Sequence, residues 1–186
     1  MVGILLAAGS SKRFGGNKIT AKLPNSKPVG IQSAERLKTC VDEMIVVVNS
    51  KNTDTKQLFT DHHFNVKVSE KSEGGMGYSL SDGISSTLEA THWIIALADM
   101  PYLAVSTMSK LRELLVVKNQ ITVPIFDGQL GHPVGFPRTY RKQLLKLEGD
   151  RGAKSIIDGS APDTFFFMSS DFGVVRDIDV RSELMV

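Results

Sequence analysis

The chain is poor in cysteine and tryptophan and nearly free of net charge, and each scarcity removes a class of protein. Cys40 is the one cysteine in 186 residues, which excludes an intramolecular disulfide and a thiolate metal cluster. A net charge of +2, with the basic residues scattered, is too small for a nucleic-acid or membrane surface. Any anion binding must be local. No apolar run is long enough to span a bilayer, and the apolar residues begin at Val2 without a basic leader, so a cytoplasmic chain that opens on a strand is expected. Internal repeats, low-complexity segments and zinc-type His/Cys spacings are missing too, and His62 and His63 are merely adjacent in a polar stretch. The two commonest phosphate-loop patterns, GxxxxGK[ST] and GxGxxG, do not occur.

What is present points to one α/β domain over 1–186. At 41% hydrophobic the chain can bury a substantial core, and its composition does not divide into unlike halves. Short apolar or β-branched runs predict strands over 2–7, 44–48, 65–68, 92–98 and 121–126. Between and after them, helical spacing predicts helices over 29–40, 53–61, 77–88, 105–117, 138–146 and 151–157. The alternation predicts a three-layer, doubly wound, mostly parallel sheet. Asp127-Gly128 is a hairpin signal, so a short antiparallel element is expected near there.

Chemistry concentrates where strands end. LLAAGSSKRFGGNK, from Leu5 to Lys18, joins a buried-strand signal to a loop stripped of bulk by Ala8, Gly9, Ser10 and Ser11. Amides in such a turn can close on an anion, and Arg13 and Lys18 add full positive charge; the segment reads as a nucleoside triphosphate cradle. The strand over 92–98 runs into Asp99-Met100-Pro101, which makes Asp99 a magnesium-ligand candidate, although Asp and Pro also serve turns. In Gly74-Gly75-Met76-Gly77-Tyr78-Ser79 the glycines admit a flat ligand, and Ser79 could meet a base or ribose; the same position suits a helix cap. His132 and Asp150 lie in two further ligand-facing loops, where His132 also suits a structural role and Asp150 an N-cap. Val174 to Asp179 is strand-like, which would point Asp177 and Asp179 to one side as solvated edge charges or as a second metal ligand near Asp99.

Taken in order, LLAAGSSKRFGGNK, EGGMGYSL, ALADMP, GHPVGF, GDRGAK and DIDVRSEL resemble the molybdenum cofactor nucleotidyltransferases, and most closely the branch that transfers a cytidylyl group to molybdopterin. The resemblance runs from Leu5 to Leu184. It implies a nucleotidyltransferase (GT-A-type) sheet and Mg2+-dependent transfer of CMP from CTP to molybdopterin, with pyrophosphate released. By motif match, Leu6, Ala7, Ala8, Gly9, Ser10, Arg13 and Lys18 would border the nucleotide, and Gly77 and Ser79 would face its base and ribose. Asp99 and Asp179 would hold the metal, Arg13, Lys18 and Asp99 would carry catalysis, and His132 and Asp150 would lie toward the acceptor. The guanylyl enzymes resemble this pattern but carry LAGG where this chain has LAAG, so Ala8 favours CTP over GTP. The resemblance weakens at the C-terminal end, where DIDVRSEL replaces the usual DIDTPEDL. Two other classes fit the same motifs: a guanylyl or other small-acceptor nucleotidyltransferase, and a nucleotide- or cofactor-carrying chaperone for a molybdenum hydroxylase.

Overall fold

The computed structural model describes residues 1–9 and 13–185. Its centre is an eight-stranded, mostly parallel sheet. Strands β1 (Val2–Ala7), β2 (Glu43–Asn49), β3 (Val66–Ser69) and β4 (His92–Leu97) are parallel to one another in the order β3-β2-β1-β4. Beyond β4 the sheet changes direction. Strand β7 (Val134–Pro137) lies antiparallel between β4 and β5 (Ile121–Phe126), and β8 (Thr164–Met168) pairs in parallel with the other side of β5.

The antiparallel element expected at Asp127-Gly128 is there: β6 (Gln129–Leu130) folds back on β5 through Asp127 and Gly128, both with positive φ. Two positive-φ residues in succession give a turn whose twist matches that of the paired strands.

Strands β1, β2 and β4 are buried on both faces, and their side chains alternate between two cores, whereas the edge strand β3 is half-buried. Leu5 and Ala7 of β1 join a cluster with Ile31, Leu37, Phe59, Met108 and Leu111. Val2, Ile4 and Leu6 point the other way, toward Leu80, Ile84, Trp93, Leu144 and Ile157. Helices α1 (Val29–Lys38), α2 (Thr53–Asp61) and α4 (Val105–Lys118) therefore cover one face. Helices α3 (Met76–Ser85), α5 (Arg141–Leu144) and α6 (Lys154–Gly159) cover the other, which completes the three layers. Ile4 and Leu5 are fully buried, each contributing about 1.5–3 kcal/mol through lost apolar surface.

The structure corrects the sequence reading in four places. The segment 138–146 is a 3-10 turn, Arg138–Tyr140, followed by the four-residue α5. Helix α6 starts at Lys154, not at Arg151, and Ala153 takes the N-cap position, so Asp150 does not cap it. Strands β7 and β8 arise where none was expected, because Gly135 and Pro137 mask the first and the second, TFFFM, has no period-two polarity. Val174 to Asp179 is not a strand. It leaves a 3-10 turn, Phe172–Val174, and crosses the strand ends as an irregular segment, tied to the sheet by the Ile178 N–H, which donates to the Asp99 carbonyl at 2.9 Å.

Candidate active site

The order β2-β1-β4 creates a switch point. From β1 the chain crosses to β2 on one side, whereas β4 lies on the other, so the loops after β1 and β4 diverge and leave a crevice at their carboxyl ends. Open α/β sheets bind ligands at such points. A cleft of about 520 Å³ occupies this position, bordered by Leu6 of β1 with Ala8 and Gly9 after it, and by Leu97 of β4 with Asp99 after it. Met76 and Ser79 of α3 and Asp150, from the loop before α6, close it. Gly9 and Asn49 are shared with an adjoining hollow of about 310 Å³ that runs past Asn17 and Asn52 to the N-terminus of α2. The volume suits a nucleotide-sized ligand.

The stretch from Phe14 to Lys18 is anchored, while Ser10 and Ser11, expected on the phosphate cradle, lie outside the described residues. Phe14 is buried with Leu23, Val29 and Ile178 in a small third cluster. Asn17 donates through Nδ2 to Asn52 Oδ1 at 3.1 Å and Thr55 Oγ1 at 2.8 Å, and its Oδ1 accepts the Ile19 N–H. Those contacts hold Lys18 almost completely buried.

Ile178 sits in the same cluster as Phe14, and this brings the C-terminal segment to the loop that leads into Lys18. The result is one charge cluster. Lys18 Nζ lies 2.6 Å from Asp99 Oδ2 and 3.1 Å from Asp179 Oδ1, and Arg13 Nη1 lies 2.7 Å from Asp179 Oδ2. Burial alone would lower the Lys18 pKa, but Asp99 and then Asp179 outweigh it and the pKa is raised, so Lys18 stays charged. Glu183 fixes the backbone beside this contact, its Oε2 accepting the N–H of Asp179 at 2.6 Å and of Val180 at 3.0 Å. Asp177 feels the same cluster: partial desolvation, then the charges of Asp99 and Asp179, raise its pKa.

Two further expectations resolve in the geometry. Ser79 is not a cap: it is the fourth residue of α3, 2% exposed, and its Oγ has no hydrogen-bond partner although it borders the cleft. A buried hydroxyl left unpaired costs about 1–3 kcal/mol, so this position suits a ligand that supplies the missing bond. Gly77 packs against the loop before α6, its N–H donating to the Gly149 carbonyl at 2.8 Å. His132 stands near Asp99 with Nδ1 unpartnered, and burial lowers its pKa against the opposing Asp99 charge, which favours the neutral ring. Its own N–H donates to the Val174 carbonyl at 2.7 Å. Sequence reasoning overlooked Asn17, Phe14 and Ile178, whose work is to hold other residues; only the burial of an aromatic inside a polar loop hinted at Phe14.

A divalent cation fits the donor set. Asp99 and Asp179 are hard oxygen donors already converging on one cationic centre, and two protein carboxylates suffice for magnesium when phosphate oxygens and water complete the shell. Among the described residues no group of three or more His, Cys, Asp or Glu side chains gathers, so an all-protein cage is not part of this site.

Comparison with known proteins agrees with this architecture. The protein purine catabolism protein PucB of Bacillus subtilis is 26% identical over 193 residues, covering 98% of this chain and 93% of its own length. A probable molybdenum cofactor guanylyltransferase of Geobacillus is 30% identical over 151 residues, covering 79% and 75%. Among solved structures, Rv0371c of Mycobacterium tuberculosis superposes with a TM-score of 0.85 at 23% identity over 98% of this chain and 95% of its own, which shows the shared fold. A second structure of that protein, with manganese, superposes at 0.76 with 20% identity, covering 90% and 87%. The family model described as the MobA-like NTP transferase domain matches residues 3–164, and the chain belongs to that family of nucleotidyltransferases.

Proposed function

We propose that the protein transfers CMP from CTP to molybdopterin with release of pyrophosphate. The observation that carries this reading is that Asp99 and the unpaired hydroxyl of Ser79 border one cleft at the switch point, while Asp99 is paired with the buried cation Lys18, which also meets Asp179. The triphosphate would lie along the Ala8–Gly9 turn, with Arg13 and Lys18 on its oxygens. Ser79 would meet the ribose or base, and Asp150 would face the acceptor across the cleft, with His132 behind Asp99.

A terminal phosphate on the acceptor is already ionised near neutral pH, so it needs no protein base. Its oxygen forms a bond to the α-phosphorus, the bond to the β-phosphate oxygen breaks, and pyrophosphate leaves with the electron pair. The chain's own share is positioning and charge: Lys18 and Arg13 offset repulsion between the anions and stabilise charge growing on the leaving group. A magnesium ion held by Asp99 and Asp179 would add Lewis-acid neutralisation of the phosphates. Burial makes the charges of Lys18 and Asp99 more effective than they would be in water.

Nucleotide choice has evidence on both sides. Ala8 lies on the wall of the cleft, and a methyl group there narrows the space for a base, which supports CTP. The Geobacillus relative is named for guanylyl transfer, which supports GTP as the second reading. Handover of the product to a molybdoenzyme is compatible with either. Pyrophosphate release measured with Mg2+, molybdopterin and each of CTP, GTP, ATP and UTP decides the matter. Release with CTP alone is expected; release with GTP alone would replace the cytidylyl reading, and silence with all four would refute transfer to this acceptor.

A further inference from the structure

One carboxylate in the cluster spans both triphosphate cations. Asp179 reaches Arg13 through Oδ2 and Lys18 through Oδ1, while Asp99 takes the remaining side of the Lys18 ammonium. Lys18 is therefore committed to protein carboxylates before any ligand arrives, and Arg13, although its side chain is 81% exposed, is paired with the same Asp179. The two cations and these two carboxylates sum to no net charge, and Asp177 lies close enough to feel them, so a metal-free triphosphate approaches a site with little to attract it. For Lys18 the arrangement is not slack in a long side chain. Asp179 is fixed by the bond from its own N–H to Glu183 and by burial of the preceding Ile178, and Lys18 is held by the Asn17 contacts beside it.

From this we infer that Asp179 makes the site selective for the metal chelate of a nucleoside triphosphate over the free triphosphate. With Asp99 and Asp179 engaged in holding a divalent cation, Lys18 and Arg13 would lose their carboxylate partners and be left to meet the phosphate oxygens. Metal and nucleotide each relieve the opposition the other would meet, and linkage requires the coupling to be mutual. The inference rests on the proposed nucleotide site and adds a discriminating role for a residue that touches the phosphate-binding side chains.

The test is binding, without acceptor and hence without turnover. CTP and GTP are titrated calorimetrically into the wild-type protein in EDTA and in Mg2+, and into Asp179→Asn, into Arg13→Ala/Lys18→Ala, and into the triple variant combining them. Wild-type affinity is expected to rise at least tenfold with Mg2+. Asp179→Asn should raise the affinity in EDTA by roughly tenfold, the scale of freeing charge-assisted hydrogen bonds. That gain should vanish in the Arg13→Ala/Lys18→Ala background, because the freed cations are its cause. A gain that survives there would reveal simple repulsion between Asp179 and phosphate and overturn the inference. Equal wild-type affinity with and without metal would also overturn it while leaving the nucleotide site standing. Absence of binding under both conditions would remove the site itself, and the inference with it. If Asp179→Asn does not fold, Asp179→Ser carries the same comparison and the wild-type pair of titrations still decides.

Discussion

Replacing Gly75 with Ala probes the seam on which both halves of the cleft depend. Gly75 holds φ at +124° and ψ at 172°, a region essentially reserved for glycine, and an added Cβ would stand 2.2 Å from the Gly149 carbonyl carbon and 2.4 Å from the Asp150 nitrogen. The backbone conformation costs a non-glycine residue about 1–3 kcal/mol. Overpacking against backbone atoms adds about 1–3 kcal/mol, since a loop must move where a side chain would merely turn. Together they give about 2–6 kcal/mol, which for a chain of this size lowers the melting temperature by roughly 5–20 °C.

Two companion variants separate the terms. Gly128 also has positive φ, +76°, but an added Cβ meets nothing within 4 Å, so Gly128→Ala should show only the backbone cost, about 1–2 kcal/mol. At Gly77, inside α3, the Cβ would lie 2.7 Å from the Glu148 carbonyl oxygen. There a helix-propensity gain of about 1 kcal/mol offsets part of the overpacking. Calorimetric melting of the three variants checks the ranking. If Gly75→Ala melts no lower than Gly128→Ala, the close approach between the 72–77 and 148–150 loops is not a constraint and the argument fails.

Other expectations follow from the same geometry. Asp99→Ala should abolish pyrophosphate release while far-UV circular dichroism stays native, and near-normal turnover with Mg2+ would remove Asp99 from the metal site. Ala8→Gly enlarges the wall of the cleft by one methyl group and should shift the CTP-to-GTP ratio of kcat/KM toward GTP by about 10–200-fold; an unchanged ratio would show that this wall does not read the base. Asp42 accepts from the α-ammonium and from Arg112, and these contacts hold its pKa at about 2, below its ordinary 3.8. A depressed carboxylate pKa stabilises the fold above the unfolded value and loses that contribution as pH falls through the folded one. Asp42→Asn should therefore melt below wild type at pH 7, by a difference that closes between about pH 4 and 2; a gap that persists in acid would assign the loss to packing.

The sequence by itself determined those parts that repeat a local physical signal. The apolar runs at 2–7 and 121–126 and the helix at 53–61 came out with the boundaries the structure has, because burial on both faces of a strand, or on one stripe of a helix, must be written locally. That Arg13 and Lys18 follow one strand end and Asp99 another was legible too, since a small-residue loop after one strand and a carboxylate after another are chemical signals needing no partner to be seen. Which side chains meet was decided by the tertiary structure alone. Strand β7 inserts between β4 and β5 although later in sequence than both, a pairing set by long-range register and hidden by its glycine and proline. Asp179 reaches Lys18, 161 residues away, because Ile178 enters the cluster around Phe14 and the chain crosses the strand ends without joining the sheet. A period-two pattern put Asp177 and Asp179 on one side of a strand, whereas the structure has no strand there and brings Asp179 to Lys18 and Arg13. The alternation of residues along a segment says which side chains share a side, but only the burial of Ile178 and the bond to the Asp99 carbonyl fix where that side faces.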